Sequence, residues 1–210
     1  MRLDDADISE KRVFIRADLN VPMQDGQISN DARIRASLPT ISKALEKNCA
    51  ITVLSHLGRP EEGKFDKTFS LAPIAQRLSE LLSVPVNLLK DIEQSNKISN
   101  GEIGLMENVR FFAGETGNSD ELGRRMAACC DVFIMDAFGS AHRAHASTNA
   151  IAKYVEVVVP GFLMESELKA LDGVLQNPKT PVVAVLGGAK VSSKLRLLER
   201  FSEISDKIFV

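Results

Sequence analysis

The chain has 210 residues, 44% of them hydrophobic and 26% charged, with a formal net charge of −2. This is the composition of a globular protein large enough for a good core. It excludes the global basic field that nucleic-acid binding would need, and no apolar run approaches the length of a membrane span.

The opening stretch, MRLDDADISEKR, is acidic and polar, unlike a secretory signal. Cys49, Cys129 and Cys130 are odd in number and two are adjacent, so no disulfide framework is expected. Reduced thiols fit a cytoplasmic location.

Arg12 to Ala17 (RVFIRA) reads as a first strand running into Asp18, Leu19 and Asn20. Gln24 to Gln27 is a turn. Asn30 or Asp31 can cap a helix with Ile34, Leu38, Ile41 and Leu45 on its apolar side. Pro39 lies inside it, which predicts a kink or break. Ala50 to Leu54 is a second strand, ending in Ser55-His56-Leu57-Gly58-Arg59-Pro60. Leu71, Ile74, Ala75, Leu78, Leu81 and Leu82 make a helical stripe, and Val84 to Leu88 a short strand. Asp91 to Gly101 is polar. Ile103 to Met106 is another apolar run, ending in Glu107-Asn108-Val109-Arg110. A loop follows, and Ser119 can cap a helix reaching Cys130.

Val132 to Met135 is a buried strand that stops at Asp136 and gives way to Gly139, Ser140, His142, Arg143 and His145. Tyr154 to Val159 is a further strand, closed by Pro160-Gly161. Glu165 to Leu175 is an amphipathic helix, and Asn177 to Pro181 reads as a linker. Val182 to Leu186 is a strand entering Gly187-Gly188-Ala189-Lys190-Val191-Ser192-Ser193-Lys194 and a helix with Leu195, Leu198 and Phe201. Lys207 to Val210 begins another strand.

Strands alternating with helices mean a parallel sheet. The expected fold is a three-layer, Rossmann-like α/β domain over 1–160 with helices on both faces. A linking helix over 161–178 follows, then the truncated first part of a second α/β domain over 179–210. In such sheets ligands sit beyond the carboxyl ends of the strands. The loops there hold Asp18 and Asn20, His56 and Arg59, Asn108 and Arg110, His142 and Arg143. One strand-end arginine is usually a surface ion-pair partner. Four loops of the same kind, holding all three histidines, predict a polyanion cleft, because the guanidinium fork matches phosphate and carboxylate. His142-x-x-His145 with Asp136 has metal-like spacing, but no third nitrogen or sulfur ligand is spaced to complete it, and no metal site is expected in this chain. The Gly187–Lys194 stretch lets backbone approach a phosphate at a helix N-terminus. It is not a Walker A loop.

With those residues in view, the chain resembles phosphoglycerate kinase. The resemblance rests on RVFIRADLNVP (12–22), DARIRASLP (31–39), SHLGRP (55–60), ENVRF (107–111), 131–148 and GGAKVSSK (187–194). It implies phosphoryl transfer between 1,3-bisphosphoglycerate with ADP and 3-phosphoglycerate with ATP, in a family usually monomeric. It places Asp18, Asn20, Arg33, His56, Arg59, Arg110 and Arg143 on the triose substrate, with His142 beside Arg143 in the same loop. Arg33 would reach the transferring group and Lys190 would stabilise it. Gly187, Gly188, Lys190 and Lys194 would face nucleotide. Mg²⁺ would accompany the nucleotide, its protein ligand lying past residue 210. Two domains closing about the Glu165–Leu175 helix would exclude water. The sequence stops after the family's first half, so little activity is expected of these residues alone. The rival reading, a phosphate-binding module without catalysis, differs in whether ATP is turned over.

Overall fold

The structure is a computed structural model that describes residues 1–175, 178–187 and 195–210. The chain divides into two compact units, Met1–Glu165 and Ser166–Val210.

The first unit is built on six parallel strands. In chain order they are β1 (Arg12–Ala17), β4 (Ala50–Leu54), β5 (Val86–Leu89), β6 (Ile103–Met106), β7 (Val132–Asp136) and β8 (Val157–Pro160). Their spatial order is β5-β6-β4-β1-β7-β8. The chain leaves β1 toward β4 and later returns to its other side with β7. That reversal opens a crevice at the carboxyl ends of the central strands. A small antiparallel pair, β2 (Met23–Gln24) and β3 (Gln27–Ile28), flanks the turn expected there. Asp25 and Gly26 both take positive φ, 51° and 74°, as a tight two-residue hairpin loop requires.

The central strands feed two cores because their side chains alternate. From β1, Val13, Ile15 and Ala17 join Ile51, Val53, Leu105 and Ile134 on one face. There they meet Ile34 and Ile41 of α1 (Ala32–Glu46) and Ile74 and Leu78 of α2 (Ala72–Leu82). Phe14 joins Phe133, Met106 and Leu54 on the other face, with Leu122 and Met126 of α3 (Asp120–Ala127). Arg16 shares that second face and is 1% exposed.

Several boundaries move for local reasons. The first helix runs unbroken through Pro39, where a break was possible. Its neighbours Ile34, Ser37, Thr40 and Ile41 are buried, so tertiary packing holds the turn that proline weakens. Asn30, not Asp31, accepts the Ala32 N–H, at 2.9 Å. The Asp31 carboxylate is taken by Arg35 and Arg77. The third helix is capped by Ser119 as expected but ends at Ala127. The stretch after β7, which lacks helical periodicity, folds as a short helix α4 (Phe138–Ala141) and π and 3₁₀ turns over Ala146–Ala150 and Ile151–Lys153. α5 (Phe162–Leu175) starts three residues before the expected Glu165. Its first amides are received by buried groups: Thr40 Oγ1 accepts Phe162 N–H at 3.0 Å and Asp136 Oδ1 accepts Met164 N–H at 3.1 Å.

In the second unit β9 (Val183–Val185) and β10 (Lys207–Phe209) pair in parallel, and α6 (Leu195–Ile204) connects them in sequence. Among the described residues no helix is long and apolar enough to cross a membrane.

Candidate functional site

The loops at the carboxyl end of the sheet are stitched to one another by side chains. Ser55 Oγ accepts Leu19 N–H and donates to the Ala17 carbonyl, both at 2.9 Å, joining the ends of β1 and β4. Asn20 Oδ1 accepts Gly58 N–H at 3.0 Å across the same gap. Gly58 has φ of +60°, and Phe69 fills the space where a side chain would stand. Glycine is therefore required at this turn. Asn108, fully buried, donates to the Leu57 and Phe69 carbonyls at 2.8 and 2.9 Å and accepts Arg110 N–H at 3.1 Å. Its amide is used up, so Asn108 builds the site and does not face a ligand.

On this frame the cations converge. Arg110 is buried, donates through Nη1 to the Gly58 carbonyl, and keeps a buried Nε without a partner. Burial lowers the Arg110 pKa, and the positive fields of Arg143 and Arg59 lower it further. His56 is buried with Nδ1 3.1 Å from Arg16 Nη2. Its pKa is pushed down to about 3, first by burial and then by Arg16, Arg110, Arg143 and His145. It is therefore a neutral imidazole at physiological pH. His145 is shifted down for the same reasons in the same order of importance: burial, then the neighbouring arginines.

Among the groups acting on these cations, one buried carboxylate stands against them. Glu115 is fully buried and accepts from Ser147 N–H at 2.9 Å and Ser147 O–H at 2.6 Å. Burial raises its pKa, opposed by Ser147, Arg16 and Arg110. His145 Nδ1 lies 3.8 Å away.

The remaining expected residues sit further out. Arg33 is half exposed and its Nη1 pairs with Asp18 Oδ2 at 2.6 Å. Arg59 is exposed and Arg143 half-buried. His142 is exposed and its Nε2 lies 3.4 Å from Arg143 Nε. The structure thus brings His56, Arg59, Arg110 and Arg143 into one field, and joins Asp18 to Arg33 and Asn20 to Gly58. Gly187 lies in the second unit, just past β9. Gly188, Lys190 and Lys194 lie outside the described residues.

Sequence reasoning passed over Arg16, Ser147 and Glu115. Arg16 was hidden inside an apolar strand, though a charge at a period-2 core position is itself a signal. Glu115 looked like an ordinary loop acid. His145 was visible in its loop, but only its burial separates it from His142.

A cavity of about 490 Å³ opens nearby, lined by Phe65, Phe111, Phe112, Leu88 and Lys90 among others. It is mainly apolar and includes none of the arginines, so it is separate from the cationic cluster. Among the described residues no three His, Cys, Asp or Glu side chains gather to hold a metal. Asp136, the last residue of β7, turns to the start of α5.

A family model described as phosphoglycerate kinase matches residues 3–210. A phosphoglycerate kinase of Desulfovibrio desulfuricans is 54% identical over 209 residues, covering 100% of this chain and 54% of that protein. One from Legionella pneumophila is 53% identical over 206 residues, covering 98% and 52%. The chain spans about half the length of the curated relatives it matches. Among solved structures, phosphoglycerate kinase from Coxiella burnetii superposes with a TM-score of 0.91 at 49% identity, covering 99% of this chain and 53% of that one. The enzyme from Pyrococcus horikoshii gives 0.88 at 34% identity, covering 99% and 54%.

Proposed function

Because the chain belongs to the phosphoglycerate kinase family, we propose that its first unit binds 3-phosphoglycerate. It would then supply the acceptor side of reversible phosphoryl transfer between 1,3-bisphosphoglycerate with ADP and 3-phosphoglycerate with ATP. The observation that carries this reading is the excess of positive charge at the strand ends. Arg16, Arg110, Arg143 and Arg59 face one another with neutral His56 and His145, and Glu115 is the buried counter-charge. Like charges held together in a partly desolvated place repel. A small polyanion relieves that repulsion, so binding energy is built into the fold.

The chemistry asks for little else. The acceptor carboxylate has an ordinary pKa of roughly 3.5, so it is ionised at neutral pH and needs no general base. The reaction needs alignment and neutralisation of charge on the transferring oxygens. Arg110 and Arg143 would hold the substrate phosphate, joined by exposed Arg59. Neutral His56 and Asn20 would set the orientation of the triose. Arg33, anchored at one nitrogen by Asp18, keeps its remaining N–H groups for the acceptor carboxylate and the arriving phosphoryl group. Gly187, Gly188, Lys190 and Lys194 belong to the nucleotide side of the proposal. Mg²⁺ would travel with nucleotide phosphates. The described residues offer no ligand set for it.

Calorimetric titration of the 210-residue chain with 3-phosphoglycerate tests the reading. Saturable binding that weakens with added salt is expected. No binding by a chain with a folded circular-dichroism spectrum would overturn it. Turnover of ATP by a full-length protein carrying this sequence separates a kinase from a phosphate-binding module.

A further inference from the structure

Arginine carries N–H donors and no acceptor. Where Arg16 Nη2 stands 3.1 Å from His56 Nδ1, the imidazole nitrogen is therefore the acceptor. The ring proton must sit on the other nitrogen. Arg16 is fixed in turn by two more bonds, Nη1 to the Ala17 carbonyl at 2.6 Å and Nε to Ser147 Oγ at 3.0 Å. A hydroxyl that accepts from a guanidinium sends its own proton elsewhere, here to Glu115 Oε1 at 2.6 Å. The Ser147 N–H closes the second oxygen of the same carboxylate at 2.9 Å.

Four side chains from four segments thus form one hydrogen-bonded chain in which Arg16 donates both ways, to His56 and to Ser147, whose hydroxyl donates on to Glu115. All four are buried. We propose that Glu115 and Ser147 are positioning residues for the anion site, holding His56 through Arg16 in its Nε2–H tautomer so that it meets a ligand only as a donor. This rests on the triose-binding reading for its ligand, but not for its tautomer.

The surroundings support one protonation state. The charged and titratable groups acting on His56 are Arg16, Arg110, Arg143 and His145, with Glu115 screened from it behind Ser147 and Arg16. Protonating His56 would set a second cation against Arg16 with no acid in contact. The neutral ring can still give a hydrogen bond to a phosphate or carboxylate oxygen. It cannot receive one there, because its acceptor lone pair is spent on Arg16. The ligand atom facing Nε2 must then be an acceptor while the ring is neutral, which rejects a donor-only group such as an ammonium at that point and suits an anionic oxygen.

The test is a long-range ¹H–¹⁵N correlation spectrum of the histidine-labelled 210-residue chain from pH 5 to 8, with His56→Gln to assign its signals. The expected result is one histidine that does not titrate, with a bare Nδ1 and a protonated Nε2. Titration of His56 in that range, or a protonated Nδ1, overturns the proposal without any variant. In Ser147→Ala, loss of the single tautomer and a fall of about tenfold in 3-phosphoglycerate affinity are expected, the size of one lost hydrogen bond to a charged group. An unchanged tautomer in that variant removes Ser147 and Glu115 from the role. A correct tautomer in a chain that ignores 3-phosphoglycerate would leave this inference standing and overturn the triose reading instead.

Discussion

The cationic cluster has two halves that use the same residue type differently. In the inner half Arg16 and Arg110 are buried, and their guanidinium groups are bonded to a backbone carbonyl of a neighbouring loop or of the same strand. In the outer half Arg33 and Arg59 are exposed, and Arg33 is held by one ion pair with Asp18. A buried arginine has spent its conformational freedom during folding and cannot move to suit a ligand. An exposed one keeps that freedom and spends it on binding. The inner half is a preformed cradle for an anion. The outer half is adjustable, which suits groups that must follow an arriving phosphoryl group. Two signatures follow: inner substitutions should damage the fold and the site together, and outer ones the chemistry alone.

The largest expected effect tests the outer half. Arg33→Ala in a full-length protein carrying this sequence should lower turnover by about a thousandfold, the scale of one arginine at a transferring phosphoryl group. Its thermal midpoint should not move, since a half-exposed ion pair contributes roughly 0–1 kcal/mol. Steady-state kinetics and a melting curve on one preparation check both parts. A lost fold, or retained turnover, would erase the distinction between the halves.

Next is the frame beneath the inner half. Asn108→Ala removes three hydrogen bonds, two that join the loops after β4 and β6 and one to Arg110 N–H within the second loop, and leaves two carbonyls unpaired. A loss of about 3 kcal/mol is expected in urea denaturation, from roughly 1 kcal/mol per bond. Affinity for 3-phosphoglycerate should fall too, because the Gly58 carbonyl that receives Arg110 is carried on the loop that Asn108 ties down.

The protonation of the inner half sharpens the contrast further. The folded pKa of His56 is about 3 against an ordinary 6.5. Between those values the unfolded chain binds more protons than the folded one, so stability falls as pH drops through 6.5 toward 3. His145 acts in the same direction. Glu115, with its pKa raised, acts oppositely: it takes up a proton more readily when folded, so its stabilising contribution is lost as pH rises through its folded value. His56→Gln, which cannot gain charge, should therefore lose less stability than the parent between pH 7 and 5. Equal losses in denaturation midpoint would mean that His56 is not held neutral by its surroundings.

Much of this was legible in the sequence, and what was missed has physical causes. The parallel sheet follows from apolar runs alternating with helical stripes, and the loops after β4, β6 and β7 carry arginine or histidine within reach of the sheet edge. The inner half was harder to see. Arg16 is read as part of a strand because neither its burial nor its partner Ser147, 131 residues away, appears in local sequence. Glu115 lies in a Gly-rich loop and becomes a buried counter-charge only when the turns over 146–150 fold back onto it. Asn108 sits among the cations in sequence, yet the structure uses it as a brace. Local pattern reports which residues reach an edge, while burial decides which of them are free to act.

The smallest effect separates two histidines of one loop. His142 and His145 are three residues apart, and on spacing alone neither is preferred. Around α4 and the turn that follows, the chain sets His142 at the surface, where its nearest polar contact is Arg143 at 3.4 Å. It sets His145 inward, 3.8 Å from Glu115 and within the field of Arg16, Arg110 and Arg143. A solvated side chain without a buried partner contributes little, typically within ±0.5 kcal/mol, which is about twofold in affinity. His142→Ala should therefore leave 3-phosphoglycerate binding within about twofold of the parent. His145→Ala should weaken it more, because it opens a gap in the layer over Glu115. If calorimetry ranks the two the other way, the ligand is reaching the outer surface of this loop and the anion cradle extends beyond the buried cluster.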